Sequence, residues 1–299
     1  MEEYLKQILG YLPMRFADAE ANEFVEYLGN SYRENREKEK YQFAFIAFHM
    51  LNMIFIYKTK WFLKKQGNQA IISALNNQRG MNFNGLFDLS QIKEKTSLEN
   101  LLQSLGFHIN DVGICKNHVE IRNNCSHASG RIYYKTQAQI EHYVEEEIDF
   151  IKRIQNKLKS ELKKFLQKFL EENWQQSFMS EDFKNLFEEN YLSQEDLEAM
   201  STVDLPLFKK KSNNEKNIRQ KILYLISIFE IQNQIANEEN LFLAELPILM
   251  FDLPEKLEVE KGGDKVEIFT NELIEEYLMP IISKFSDKDR IKAERILKL

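Results

Sequence analysis

A chain of 299 residues, 43% hydrophobic and 29% charged, is long enough to bury a core and too apolar to be disordered. Its net charge of −7 excludes a surface coated with cations for non-specific nucleic-acid binding, though not a local basic patch. Ten glycines and five prolines favour long helices over a turn-rich β architecture, and twenty-two phenylalanines with twelve tyrosines predict an aromatic core.

Two cysteines, 115 and 125, make no disulfide framework and fit a reducing cytosol. The start, Met1-Glu2-Glu3, is acidic and lacks the basic region of a signal peptide. The longest apolar run, Phe43 to Tyr57, is too short to span a bilayer and contains His49 and Asn52. A cytoplasmic protein without membrane partners is expected.

In chain order, residues 3–12 read as a short amphipathic helix ending before Pro13. Residues 17–35 form a charged helix with Phe24, Tyr27 and Leu28 on its packing side, and a solvated charge run, Arg33 to Lys40, follows. Tyr41 to about Lys65 is the most apolar helix, expected in the middle of a bundle and ended by Gly67 and Asn68. Asn76 to Asp88 lacks periodicity and reads as a loop; Ser90 to Leu105 is a helix closed by Gly106. Asn110 or Asp111 is the expected cap of a helix over 112–128, stopped by Gly130. A very long helix over 136–173 carries the stripe Ile140, Tyr143, Val144, Ile148, Ile151, Ile154 and Leu158.

The character changes after Trp174. Ser180-Glu-Asp-Phe and Ser193-Gln-Glu-Asp are helix-start signals of the capping type. Lys209-Lys210-Lys211-Ser-Asn-Asn reads as a linker, and 217–234 and 271 onward as helices. Gly262-Gly263-Asp264 between two β-prone runs is a hairpin signal. The fold class is therefore all-α, with a helical bundle over 1–173 and a mainly helical region over 174–299 holding a short β-hairpin.

The stretch Glu120 to His127 departs from this pattern, placing an arginine, two amides, a thiol, a hydroxyl and an imidazole beside apolar Val119 and Ile121. Arg122 and His127 are five residues apart, about 140° around an ideal helix, whereas Asn123 and His127 share a face. Histidine exchanges protons near neutrality, so it can take a 2′-hydroxyl proton or protonate a leaving 5′-oxygen. A guanidinium can stabilise charge on a pentacovalent phosphorus, and an amide can orient either group. Together these suit RNA cleavage by the substrate's own 2′-hydroxyl, with no cofactor and no metal required. The awkward Arg122–His127 spacing favours a site completed across a two-fold dimer.

Arg122-Asn123-Asn124-Cys125-Ser126-His127 resembles the R-x4-6-H signature of the HEPN superfamily, including the polar residue after the arginine. The helical setting, with the motif late in a bundle and a long helix after it, is also similar. The resemblance covers about residues 15–172. It implies a metal-independent endoribonuclease that dimerises to form a composite site, with Arg122 and His127 as the catalytic pair and Asn123 in support. It also implies a toxin–antitoxin or anti-phage role, with tRNA or other cellular RNA as substrate and an antitoxin or defence protein as partner.

Duller readings stand beside this one. Arg122 can instead form a salt bridge to Glu120 or a neighbouring helix while His127 caps a helix end, in a non-catalytic bundle used for dimerisation. Cys115, His118, Cys125 and His127 are four potential zinc ligands, although Cys125 and His127 point apart on a helix. His49 reads as a hydrogen-bonded core residue; His108 and His142 read as surface residues, and Trp61 and Trp174 as packing residues. Lys152, Arg153, Lys157 and Lys164 on the long helix are the candidate RNA-backbone track, with Lys58, Lys60, Lys64 and Lys65 as a second one.

Overall fold

Helix α3, Tyr41–Lys65, is buried on nearly every side. It is the centre of a bundle in the computed structural model, which describes residues 2–78, 80–127, 130–172 and 189–201 and two strands near the C-terminus. Around it lie α1 (Glu2–Tyr11), α2 (Ala19–Glu37), α4 (Gln69–Asn76), a 3-10 helix (Leu86–Gln91), α5 (Glu94–Ser104) and α6 (Ile109–Ser126). The long α7, Gln137–Glu172, buries all seven residues of the predicted stripe. Phe45 of α3 meets Tyr134 and Tyr143, ring centroids 4.4 and 4.5 Å away, and the two tyrosines lie 5.8 Å apart, so an aromatic cluster forms where α7 and the loop before it meet α3.

Local chemistry explains most boundaries. The Asp18 carboxylate accepts from the Glu20 amide at 3.0 Å and starts α2. Gly106 adopts φ +68° just past Leu105, the C-cap of α5, a conformation that costs a side-chain-bearing residue but not glycine. Asn68, read as a terminator of α3, also caps α4 by accepting from the Ile71 amide at 3.1 Å. The helix expected from Ser90 starts only at Glu94, because 86–91 forms the 3-10 helix inside a stretch read partly as loop.

The chain divides into two compact units, Met1–Phe169 with Phe187–Val203, and Leu170–Leu186 with Asp204–Leu299. Residues 189–201, placed with the C-terminal region by the sequence, thus belong to the first unit. There α8, Gln194–Ser201, packs on α1, and Met14 donates to the Leu192 carbonyl at 3.1 Å. The expected capping box is present: Ser193 N–H donates to the Asp196 carboxylate at 2.9 Å, and the Asp196 N–H donates to Ser193 Oγ at 3.2 Å.

In the second unit, β1 (Glu258–Lys261) and β2 (Asp264–Glu267) pair antiparallel in the register Glu258 to Glu267 and Lys261 to Asp264, as the hairpin signal predicts. The Ser180 helix start, Trp174, the Lys209–Lys211 linker and the helices expected over 217–234 and from 271 lie outside the described residues. Among the described residues, predominantly helical structure with one two-stranded hairpin agrees with the all-α expectation. No helix among the described residues is long and apolar enough to cross a membrane.

Candidate functional site at the end of helix α6

Glu120 to Ser126 of the polar stretch form the last two turns of α6, and His127 follows them. Arg122 leaves the helix toward α5, where its Nη2 lies 2.9 Å from Glu94 Oε1. Its Nη1 donates to Asn123 Oδ1 at 3.1 Å, and its Nε is buried with no hydrogen-bond partner among the described residues. The side chain as a whole retains 26% exposure. The salt bridge is therefore to a neighbouring helix; Glu120 pairs elsewhere, with Lys95 at 2.9 Å.

Glu94 carries the contact inward. Its second oxygen lies 3.2 Å from His49 Nε2, and His49 Nδ1 lies 3.1 Å from the Tyr143 hydroxyl. Burial alone would raise the Glu94 pKa; the His49 hydrogen bond and the charges of His49 and Arg122 outweigh it and hold the carboxyl below its ordinary value. His49 is thus the hydrogen-bonded core histidine the sequence suggests.

A second pair lies deeper. His118 on α6 and Asn52 on α3 both meet the buried Glu147 carboxylate of α7 through short contacts. Burial works against a charged His118, but the hydrogen bond and charge of Glu147, with Glu146 beside it, raise its pKa above the ordinary histidine value. α6 is in this way anchored to α3, α5 and α7 by ionisable side chains, which is costly to assemble and costly to break.

His127 does not continue the helix. α6 ends at Ser126, and His127 occupies the C-cap with extended backbone (φ −100°, ψ 156°), its N–H donating to the Asn123 carbonyl at 3.1 Å. The predicted shared helical face of Asn123 and His127 is therefore not formed. Asn123 orients Arg122 through its side chain and holds His127 only through its backbone. His127 is exposed. The start of α6 also differs from expectation: His108, exposed as predicted, caps it by accepting from the Asn110 amide at 3.3 Å.

Gln42 clamps the loop that follows. Its Nε2 donates to the Cys125 carbonyl at 3.3 Å and its Oε1 accepts from the Tyr133 N–H at 2.9 Å, bridging both sides of His127. In the sequence, Gln42, Glu94 and Glu147 each read as an ordinary polar residue of a helix.

The zinc set does not converge. Cys115 and Cys125 are buried, with burial raising both thiols, Cys125 to about 11. His118 is committed to Glu147, and no group of three or more His, Cys, Asp or Glu among the described residues is arranged to hold a metal.

The two lysine tracks separate. Lys58 and Lys60 are fully buried, so they cannot line a surface for RNA. Lys58 meets Asp196, Ser193 Oγ at 2.7 Å and the Tyr11 carbonyl at 3.1 Å, and Lys60 donates to Ser97 at 2.9 Å. Burial lowers the pKa of both, Lys60 to about 8. Lys64 lies over the buried Trp61 ring, 4.4 Å from its centroid. On α7 the track stays at the surface but is paired: Lys152 with Asp149 at 3.6 Å, Arg153 with Asp111 at 2.7 Å, Lys164 with Glu161 at 2.7 Å. Lys157 lies 4.9 Å from the Phe107 ring.

No family model, curated protein or solved structure matches this chain.

Proposed function

We propose that this chain is a metal-independent endoribonuclease of the HEPN type, acting on tRNA or other cellular RNA in a toxin–antitoxin or anti-phage role. The observation that carries the reading is the end of α6. There Arg122 is oriented by Glu94 and Asn123 yet remains 26% exposed, and His127 stands exposed immediately past the helix. In the proposed reaction the 2′-hydroxyl loses its proton to a histidine and its oxygen attacks the adjacent phosphorus. The bond to the 5′-oxygen breaks, and that oxygen takes a proton from a second acid. The products are a 2′,3′-cyclic phosphate and a 5′-hydroxyl. Arg122 stabilises the added negative charge on phosphorus. A second copy of the chain supplies the second histidine, so the working unit is a homodimer with a composite site. Lys152, Arg153, Lys157 and Lys164 are the proposed backbone contacts, each released from its present partner when phosphate binds.

Growth of cells expressing the protein tests this. Expression should arrest growth with cleaved RNA bearing cyclic phosphate ends, and His127→Ala should restore growth. One observation favours a second reading, a non-catalytic interaction bundle. Arg122 is already paired with Glu94 and His127 sits at a C-cap, the arrangement of a purely structural helix end. On that reading wild type and His127→Ala are equally harmless.

A further inference from the structure

Tyr27, expected on the packing side of α2, is 67% exposed, and it borders an open groove of about 460 Å³. Phe24 and Tyr27, on the same stripe of α2, and Phe87 from the 3-10 helix line it. Phe24 and Phe87 meet edge-on at 6.3 Å, and Phe87 is backed by Phe16 at 5.5 Å, which in turn rests on Tyr191 at 5.9 Å. The floor is thus a supported aromatic layer rather than a loose surface ring. Asp18, Glu20 and Glu23 also line it, all exposed. Asp18 is used as the α2 cap, which leaves Glu20 and Glu23 as the other carboxylates of the groove.

We infer that this groove docks an arginine-bearing segment of a partner protein. Aromatic faces attract a cation, and a guanidinium stacks on them better than an ammonium because it is planar and weakly hydrated. Carboxylates of the groove complete the recognition with paired hydrogen bonds along the guanidinium edge. The same carboxylates repel phosphate, so the groove is not part of an RNA path. The proposal stands apart from the nuclease reading, because no residue of the groove belongs to the α6 site.

Fluorescence anisotropy of the full-length protein with a short labelled peptide of alternating glycine and arginine tests it. Matched lysine, citrulline and leucine peptides serve as competitors. The arginine peptide should bind, and the citrulline and leucine peptides at least about tenfold more weakly. The lysine peptide should fall between. Tyr27→Ala and the double change Glu20→Gln/Glu23→Gln, all at exposed positions, should each weaken the arginine peptide by about tenfold. The fold of each variant is checked by circular dichroism. Equal binding of the leucine peptide, undiminished binding to both variants, or no binding of the arginine peptide would overturn the inference. So would self-association in sedimentation that Tyr27→Ala abolishes, since the occupant would then be a second copy.

Discussion

Glu94 of α5 and Arg122 of α6 meet at 2.9 Å, and the same carboxylate reaches His49 at 3.2 Å on its other side. This single group ties the cation proposed for catalysis to the most buried helix of the bundle. Glu94→Gln keeps the shape and removes the charge. RNA cleavage should fall by about tenfold to a hundredfold through kcat, because Arg122 is no longer held in one orientation. The carboxyl is held below its ordinary pKa, so the stability it contributes is present above the unfolded value of about 4.3 and lost as pH falls through the folded one. Acid unfolding of Glu94→Gln should therefore be shallower below about pH 4.3 than that of the wild type, measured by circular dichroism.

Gln42 should matter more to His127 than its place on α3 suggests. Gln42→Ala removes both hydrogen bonds across the loop, and urea unfolding should show a loss of about 1–2 kcal/mol. Cleavage should drop in kcat with KM for RNA little changed. Rates equal to wild type would mean that the loop position is irrelevant to the chemistry.

The buried His118–Glu147 contact gives a pH signature with the opposite sign to that of Glu94. A histidine whose folded pKa is raised contributes stability that is complete below the unfolded value of about 6.5 and lost as pH rises through the folded one. Wild-type stability should decline above about pH 6.5, and His118→Ala should flatten that decline. The same change leaves Glu147 buried without its cation and should cost about 3 kcal/mol by urea unfolding at pH 6.

Lys58 of α3 and Asp196 of α8 hold these two helices together. Lys58→Met strands a buried carboxylate and should destabilise by about 3–5 kcal/mol, whereas Lys58→Met with Asp196→Asn, which removes the stranded charge and keeps an acceptor for the Ser193 N–H, should recover part of the loss. Limited proteolysis near residues 189–201 should be fastest in the single variant.

What could be read in advance follows from where the information lies. α3 and α7 were legible because length and periodicity repeat the same signal over many residues, and all seven stripe residues of α7 are buried. The Ser193 capping box was legible because a cap is a local hydrogen-bond pattern. Lys58 and Lys60 misled because a basic run looks solvated until a partner such as Asp196, far along the chain, is brought to it. Glu94 and Gln42 were invisible for the same reason: their meaning comes from α6 and its loop lying beside them. Tyr27 had the right spacing to pack, but neighbours cover Leu28 and leave Tyr27 open. α6 ends at Ser126, two residues before the expected end, with the Ser126 hydroxyl donating to the Arg122 carbonyl at 2.9 Å and His127 extended.

The most direct measurement is single-turnover cleavage of labelled RNA by the purified protein in EDTA, with the product ends identified. Wild type should leave 2′,3′-cyclic phosphates, and Arg122→Ala and His127→Ala should each slow the reaction by at least about a hundredfold while still folding. Full activity in either variant, or no cleavage by the wild type, would contradict the account.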